Sequence, residues 1–246
     1  MRVNRIYTPG QLAAGKHVEL TPTGANHIVR VLRARVGDVI GVFDGEGNEF
    51  RAAIASVKGS KVIVRVDAAA ISATEAPLRI TLTQGISRGE RMDWVVQKAT
   101  ELGVASIVPV ITARSVVKLD RDQAEKKHEH WRSIAIGACE QCGRSRLPKI
   151  ATPISLTQHL CSASSAAMRV VLDPEAAKSL TSLEAANTIE LLIGPEGGLD
   201  NEELAAAKKA GFVSATLGPR ILRTETAAVA ALAILQAKWG DLGGSS

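Results

Sequence analysis

Two hydrophobic periods follow one another along the chain. Up to residue 70 the apolar positions come in short runs with a spacing near two. Val39 to Phe43 and Phe50 to Val57 flank Asp44-Gly45-Glu46-Gly47-Asn48, which reads as a hairpin turn. Lys61 to Val66 alternates polar and apolar residues, as a half-buried strand does. His27 to Arg33, apolar at 28, 29, 31 and 32, predicts a short helix. Together these predict a small barrel-like domain of short strands. Ile71 to Pro77, with Ser72, Thr74 and Glu75, reads as a linker.

Beyond Pro77 strand and helix patterns alternate. Leu78 to Thr83 predicts a strand. Ser87-Arg88-Gly89-Glu90 fits a capping box ahead of a helix with apolar residues at 92, 95, 96, 99 and 102, ended by Gly103. Val104 to Val110 predicts a buried strand, and about 122 to 142 a long helix closed by Gly143. Arg169 to Leu172 and Ile189 to Ile193 predict two more strands. Asp200 caps a helix, with Glu203 three residues on, and Gly211 stops it. Val213 to Leu217 is the next expected strand and Glu225 to Trp239 the last helix, followed by a tail, 240–246, expected to fray. Such alternation predicts a mainly parallel α/β sheet. The expected domains are therefore 1–72 and 73–246.

Composition narrows the chemistry. Aromatic residues make up only 3% of the 246 residues, so the core must be aliphatic and a nucleic-acid surface cannot rest on many stacked rings. Residues 1–70 carry 10 Lys/Arg against 6 Asp/Glu, while the remainder carries 20 against 19. A basic amino-terminal part suits a polyanionic partner, and equally a plain solvated surface. Three cysteines make no disulfide framework. Cys139 and Cys142 form a C-x-x-C, which raises zinc or redox chemistry. No second such pair exists, and both lie in a helical pattern with Trp131, Ile134, Ala135 and Ala138, so two small helix residues are the alternative. His128 and His130 are two apart and face different sides of a helix. No metal is expected. The amino terminus lacks an apolar signal core, and no stretch approaches the ~20 apolar residues of a membrane span. The expected location is the cytoplasm.

The candidate site lies in two glycine-containing turns, each following an apolar run. The first is Ile193-Gly194-Pro195-Glu196-Gly197-Gly198-Leu199. The second runs Leu217-Gly218-Pro219-Arg220-Ile221-Leu222-Arg223-Thr224-Glu225-Thr226-Ala227. Glycine permits close backbone approach and Pro195 stiffens the turn. There is no G-x-x-x-x-G-K-[ST] and no G-x-G-x-x-G after a strand, which argues against a P-loop and a dinucleotide fold. A tight connection without a ligand is one reading of the first turn, and Thr224 as a helix N-cap is one reading of the second. Four polar residues, Arg223 to Thr226, exceed what a cap requires.

With these turns the chain resembles the bacterial small-subunit ribosomal RNA uracil-N3 methyltransferases (the RsmE family) of the SPOUT superfamily. The resemblance rests on Arg30-Val31-Leu32-Arg33 with Gly37-Asp38, on Lys98 to Gly103, and on Arg114-Ser115. It continues through Trp131 with Ala138 to Gln141, Arg144 with Leu147-Pro148, and the two turns. It implies a small PUA-like β-barrel for RNA, then a SPOUT-type knotted, mainly parallel sheet with helices on both faces. It also implies a carboxyl-terminal trefoil knot, a homodimer, and S-adenosylmethionine held in the knot loops. The implied reaction is methylation of N3 of a uridine in 16S ribosomal RNA, as naked RNA or assembled small subunit. Methylation of another RNA site or of a ribose 2′-OH, and a non-catalytic ribosome-assembly role, are the alternatives.

Carried onto this chain, the resemblance makes Leu172, Ile193, Leu217, Ile221 and Leu222 walls of an adenine pocket, positions that also suit ordinary core. Gly194, Gly198 and Gly218 would present backbone groups, with Glu196 and Thr226 as further cofactor contacts. Loss of the N3 proton needs an acceptor, and the developing oxyanion needs a donor or cation. Glu196 and Glu225 are candidate bases, and Arg223 and Arg88 candidate stabilisers. The alternatives are solvated or dipole-favoured carboxylates and arginines that simply pair with them. RNA contacts are expected from Arg30, Arg33, Arg35, Arg91, Arg114, Arg144 and Arg146, as phosphate clamps rather than base readers.

Overall fold

In the computed structural model, which describes residues 3–70, 74–115 and 119–243, the hairpin expected at Asp44–Asn48 forms. Residues 71–73 of the expected linker and 244–246 of the expected frayed tail lie outside the described residues. Contacts divide the chain into two units, Met1–Glu75 with Ile136–Leu147, and Ala76–Ala135 with Pro148–Ser246.

The first unit carries β1 (Arg5–Tyr7), β2 (His17–Glu19), β3 (Val39–Phe43), β4 (Glu49–Lys58) and β5 (Lys61–Ala70), in the spatial order β1-β3-β4-β5-β2. Only β1 and β3 pair in parallel. Alternation sets the core: Val62, Val64 and Val66 of β5 point inward with Ile6, Ile40, Val42 and Ile54. Register shifts in β4, at Arg51/Ala52 and Ile54/Ser56, bend the sheet over that core. The helix expected at 27–33 is different in kind. A short α1 (Pro22–Asn26), capped by the Thr21 side chain, runs into a wider π-helical turn, His27–Leu32. Arg33 stops it with φ 51, the one positive-φ residue other than glycine among the described residues.

The stretch Ile136–Leu147 belongs to this first unit. Cys139 is buried against Tyr7 and Phe43. Arg5 joins the carboxylate of Glu49 at 2.8 Å and donates to the Cys139 carbonyl at 2.6 Å. Burial pushes the Cys139 thiol up to about 12, so it carries no thiolate at neutral pH. Among the described residues no group of three or more His, Cys, Asp and Glu is arranged to hold a metal ion.

Among the described residues the second unit carries a seven-stranded sheet in which every strand pairing is parallel. Its strands are β6 (Arg79–Gly85), β7 (Ser106–Ile111), β8 (Lys149–Ile150), β9 (Ile154–Ser155), β10 (Met168–Leu172), β11 (Thr188–Ile193) and β12 (Val213–Ala215). The order is β12-β10-β11-β6-β7-β8, with β9 also on β7. Its helices are α2 (Arg91–Glu101), α3 (Arg121–Cys142, whose last residues belong to the first unit), α4 (Leu156–Leu160), α5 (Asn201–Lys209) and α6 (Thr224–Trp239). Ile189, Leu191 and Ile193 of β11 share a core with Val95, Val96 and Ala99 of α2 and Ala228, Leu232 and Leu235 of α6. Leu192 points the other way, into a cluster with Leu156 of α4, Ala207 of α5 and Phe212. Helices thus cover both faces. No helix among the described residues is long and apolar enough to cross a membrane.

Glu190 faces the α4–α5 side and is almost fully buried. His159 (2.5 Å), Arg169 (2.9 Å) and Ser164 (2.8 Å) meet its two oxygens. Burial alone would raise its pKa. The His159 and Ser164 hydrogen bonds and the Arg169 charge outweigh it and bring the pKa down to about 2.

Three local expectations change. Ser87 does not cap α2. The helix starts at Arg91 after Glu90, which makes no side-chain cap, because Gly89 adopts φ 61 and breaks the helical path from Ser87. Arg223, not Thr224, holds the N-cap position of α6. The strand expected over 213–217 ends at Ala215. The capping box at Asp200 and Glu203 forms as read, with both hydrogen bonds present.

Candidate functional site

Strand order locates the site. From β6 the chain moves outward through β7 on one side, then returns to β10 and β11 on the other. In open parallel sheets ligands bind beyond the carboxyl ends of strands near such a reversal. A cavity of about 730 Å³ opens there, at the carboxyl ends of β10, β11 and β12 and the start of α6. That volume suits a nucleoside-sized ligand.

The first glycine turn forms one wall. The Gly198 N–H donates to the Pro195 carbonyl at 2.9 Å and Gly198 has φ 70. A Cβ on Gly194 would lie 2.8 Å from the Gly198 carbonyl carbon and the Leu199 nitrogen. A Cβ on Gly85, at the end of β6, would lie 2.5 Å from the Pro195 nitrogen. Both glycines are therefore required by close backbone approach.

Polar side chains fasten this turn. The Glu196 Oε1 accepts from the Arg88 N–H at 2.9 Å and from Arg91 at 2.6 Å. Burial would raise the Glu196 carboxyl, yet these two partners hold it below the usual carboxylate range. Arg114 donates to the Gly197 carbonyl at 2.9 Å. The buried Thr224 hydroxyl donates to the Gly194 carbonyl at 2.6 Å and accepts from Gln84 Nε2 at 2.9 Å. The second wall runs from Leu217 through Leu222 into α6. Glu225, in the first turn of α6, has one oxygen 3.9 Å from Arg91 and the other buried without a hydrogen-bond partner.

Of the residues singled out in the sequence, the cavity is lined by Leu172, Ile193, Gly194, Glu196, Gly198 and Leu217. Ile221, Leu222, Arg223, Glu225, Arg91 and Arg114 line it as well. Ile221 is 87% exposed, so it is no core residue. Gly218, Thr226 and the Arg88 side chain are not among the lining residues. Arg30, Arg33 and Arg35 are exposed on the first unit. Arg144 departs from its expected place. It is 4% exposed and joins Glu75 at 2.9 Å, which takes it away from any phosphate. Arg146, in the same stretch, remains exposed.

Gln84 and Asp173 were not anticipated at the site, and Thr224, read within the second turn, was given no contact with the first. Asp173, 8% exposed, lines the cavity directly after β10. Gln84 left one trace in the sequence, as a polar residue beside glycine at the end of an apolar strand.

Comparisons with known proteins agree with this geometry. A model of the RNA methyltransferase domain matches residues 74–236, and one of the RNA methyltransferase PUA domain matches residues 20–67. The ribosomal RNA small subunit methyltransferase E of Buchnera aphidicola is 32% identical over 241 residues, covering 98% of this chain and 95% of its own. A methyltransferase of Legionella pneumophila, solved with its bound cofactor SAM, is 43% identical with a TM-score of 0.95. That match covers 98% of this chain and 100% of the other. A ribosomal RNA small subunit methyltransferase E of Neisseria gonorrhoeae, solved bound to S-adenosylmethionine, is 37% identical with a TM-score of 0.91. It covers 98% of this chain and 99% of its own. This chain belongs to the ribosomal RNA small subunit methyltransferase E family of RNA methyltransferases.

Proposed function

We propose that this chain methylates N3 of a uridine in 16S ribosomal RNA, using S-adenosylmethionine. The cavity between the two glycine turns is the observation that carries the reading. Close backbone approach at Gly194 and Gly85 fixes the turn, and Gly194, Gly197 and Gly198 line the cavity without side chains. Leu172, Ile193 and Leu217 offer an apolar wall for a purine ring, and Asp173 a carboxylate beside it. The cofactor complexes of the Legionella and Neisseria relatives support the same occupant.

When bound, S-adenosylmethionine supplies an already activated methyl group. The chain then has to hold the uracil in line and take the N3 proton. Glu225 is our choice of acceptor. It lines the cavity, one of its oxygens accepts no hydrogen bond, and the start of α6 favours its charge. Glu196 is less suited, because Arg88 and Arg91 occupy its Oε1 and make its carboxylate a weaker base. It positions Arg91 instead. Arg91 and Arg223, both at the cavity, stabilise the charge that develops on the uracil oxygens. Arg88 acts through its backbone N–H.

Arg30, Arg33, Arg35 and Arg146 are assigned to RNA phosphates, on exposed surface of the first unit. The proposal includes a PUA-like RNA-binding domain over 1–72 and a methyltransferase domain over 73–246. It also includes a carboxyl-terminal trefoil knot, a homodimer and a cytoplasmic location. Calorimetry with S-adenosylmethionine tests the core of the reading. Micromolar binding by the native chain, abolished in Gly194→Ala, is expected. Absence of heat at millimolar cofactor would sink it.

A further inference from the structure

Gln84 is fully buried one residue from the end of β6, paired in register with Ile193 of β11. A leucine there would pack without polar cost. Instead Gln84 brings a carbonyl oxygen, Oε1, that finds no hydrogen-bond partner. A buried polar group left unsatisfied is costly, so a compensating role is expected of the rest of the side chain. The amide nitrogen has two hydrogens. One meets the Gly85 carbonyl at 3.1 Å and the other the Thr224 hydroxyl at 2.9 Å.

Thr224 has a single hydroxyl hydrogen, which goes to the Gly194 carbonyl at 2.6 Å. The Gln84 donor occupies a lone pair of that oxygen and so fixes the hydroxyl rotor. The next residue is Pro195, which has no N–H of its own to anchor the peptide. Orientation of the Gly194–Pro195 peptide therefore falls mainly to the Thr224 hydroxyl, with Gln84 Nε2 a longer 3.5 Å from the same carbonyl oxygen. Thr224 is the first residue of α6, and Glu225 follows it. One relay thus joins a central strand, the first glycine turn and the helix that starts the other wall.

We infer that Gln84 and Thr224 are positioning residues of the cavity, locking the Gly194 carbonyl so that its two walls hold one spacing. This rests on the proposed reading that the cavity takes S-adenosylmethionine. Neither residue touches the reacting atoms in this scheme. Both act on Gly194 and through it on the turn 195–198, and Thr224 also lines the cavity.

The test uses the full chain and three variants: Thr224→Val, Thr224→Ser and the near-isosteric Gln84→Met. Amide hydrogen exchange on the ligand-free protein reads the relay itself. Exchange at Gly198, whose N–H closes the turn, should quicken about tenfold or more in Thr224→Val and Gln84→Met, with β4 and β5 amides unmoved. Calorimetry reads the use of the relay. Affinity for S-adenosylmethionine should fall about tenfold in the same two variants, the equivalent of about 1.4 kcal/mol. Thr224→Ser should restore both to within about threefold. Unchanged exchange at Gly198 in both Thr224→Val and Gln84→Met overturns the relay. Faster exchange with unchanged affinity overturns its service to the cavity. A native chain that binds no cofactor refutes the cofactor reading, and with it that service, while the exchange data still decide the relay. Should Thr224→Val not fold, Gln84→Met and Thr224→Ser decide alone.

Discussion

Substituting Gly85 by alanine isolates one distance. Gly85 is not a positive-φ glycine, so alanine suits its backbone. The only obstacle is contact. The added methyl would lie 2.5 Å from the Pro195 nitrogen, 2.6 Å from its Cδ and 2.8 Å from the Gly194 carbonyl carbon. Ordinary contact begins at 3.4 Å, so the turn must retreat by about 0.9 Å, the difference between 3.4 and 2.5. None of these atoms is the far end of a flexible side chain. Overpacking of this kind costs about 1–3 kcal/mol of stability. In a chain of this size that is a drop in Tm of roughly 2–12 °C. The functional effect should be larger, because a misplacement of about 1 Å can cost about a hundredfold in rate. Labelled methyl transfer to small ribosomal subunits gives kcat/KM, and calorimetry gives the cofactor Kd. We expect kcat/KM to fall about a hundredfold and affinity to weaken with it. Gly137→Ala is the control. Gly137 sits in α3 with nothing within 4 Å of its would-be Cβ, so its substitution should stabilise by up to about 1 kcal/mol and leave kinetics alone. A Gly85→Ala protein with native Tm, Kd and kcat/KM would refute the claim that the turn depends on this approach.

Further outcomes follow from other parts of the molecule. Glu225→Gln should lower kcat by about a hundredfold or more while leaving cofactor affinity within about threefold; an undiminished kcat would remove Glu225 as proton acceptor. Changing Arg30, Arg33 and Arg35 together to alanine should flatten the dependence of log K on log salt for RNA binding by about 2. Arg144→Ala should leave that slope intact yet lower Tm, because Glu75 loses its buried partner. Glu190 makes stability pH-dependent. Its folded pKa of about 2 lies below the ordinary 4.5, so its contribution is complete above pH 4.5 and disappears as pH falls toward 2. At about 1.36 kcal/mol per pKa unit the difference of 2.5 makes about 3 kcal/mol. Urea denaturation across that window should show the loss in the native chain and its absence in Glu190→Gln, which should also be weaker at neutral pH.

Periodicity reads most of this fold because burial enforces it. The alternation at Val62, Val64 and Val66 and the apolar spacing at Val95, Val96 and Ala99 each name an inward face. Glycine stops at 103, 143 and 211 are equally legible, since each adopts a positive φ that other residues avoid. What escapes such reading is set by distant partners. Ser87 has the spacing of a cap, but Gly89 turns to φ 61 and the helix begins later, while Glu196, 108 positions from Arg88, takes that residue's N–H. Thr224 looks like a cap and is instead the donor that holds Gly194. Arg144 looks like one more surface cation until Glu75 buries it. The two glycine turns are local signals and stand out at once, whereas Gln84 gains its meaning only from two residues 110 and 140 positions away.

The central claim is a methyl group on N3 of a uridine in 16S ribosomal RNA. Mass mapping of modified nucleosides tests it directly, on small-subunit RNA from cells with this protein, without it, and with Glu225→Gln in its place. We predict one N3-methyluridine that is present in the first sample and missing from the second and third. A 2′-O-methylated nucleotide in its place, or an identical modification pattern in cells with and without the protein, would contradict the account.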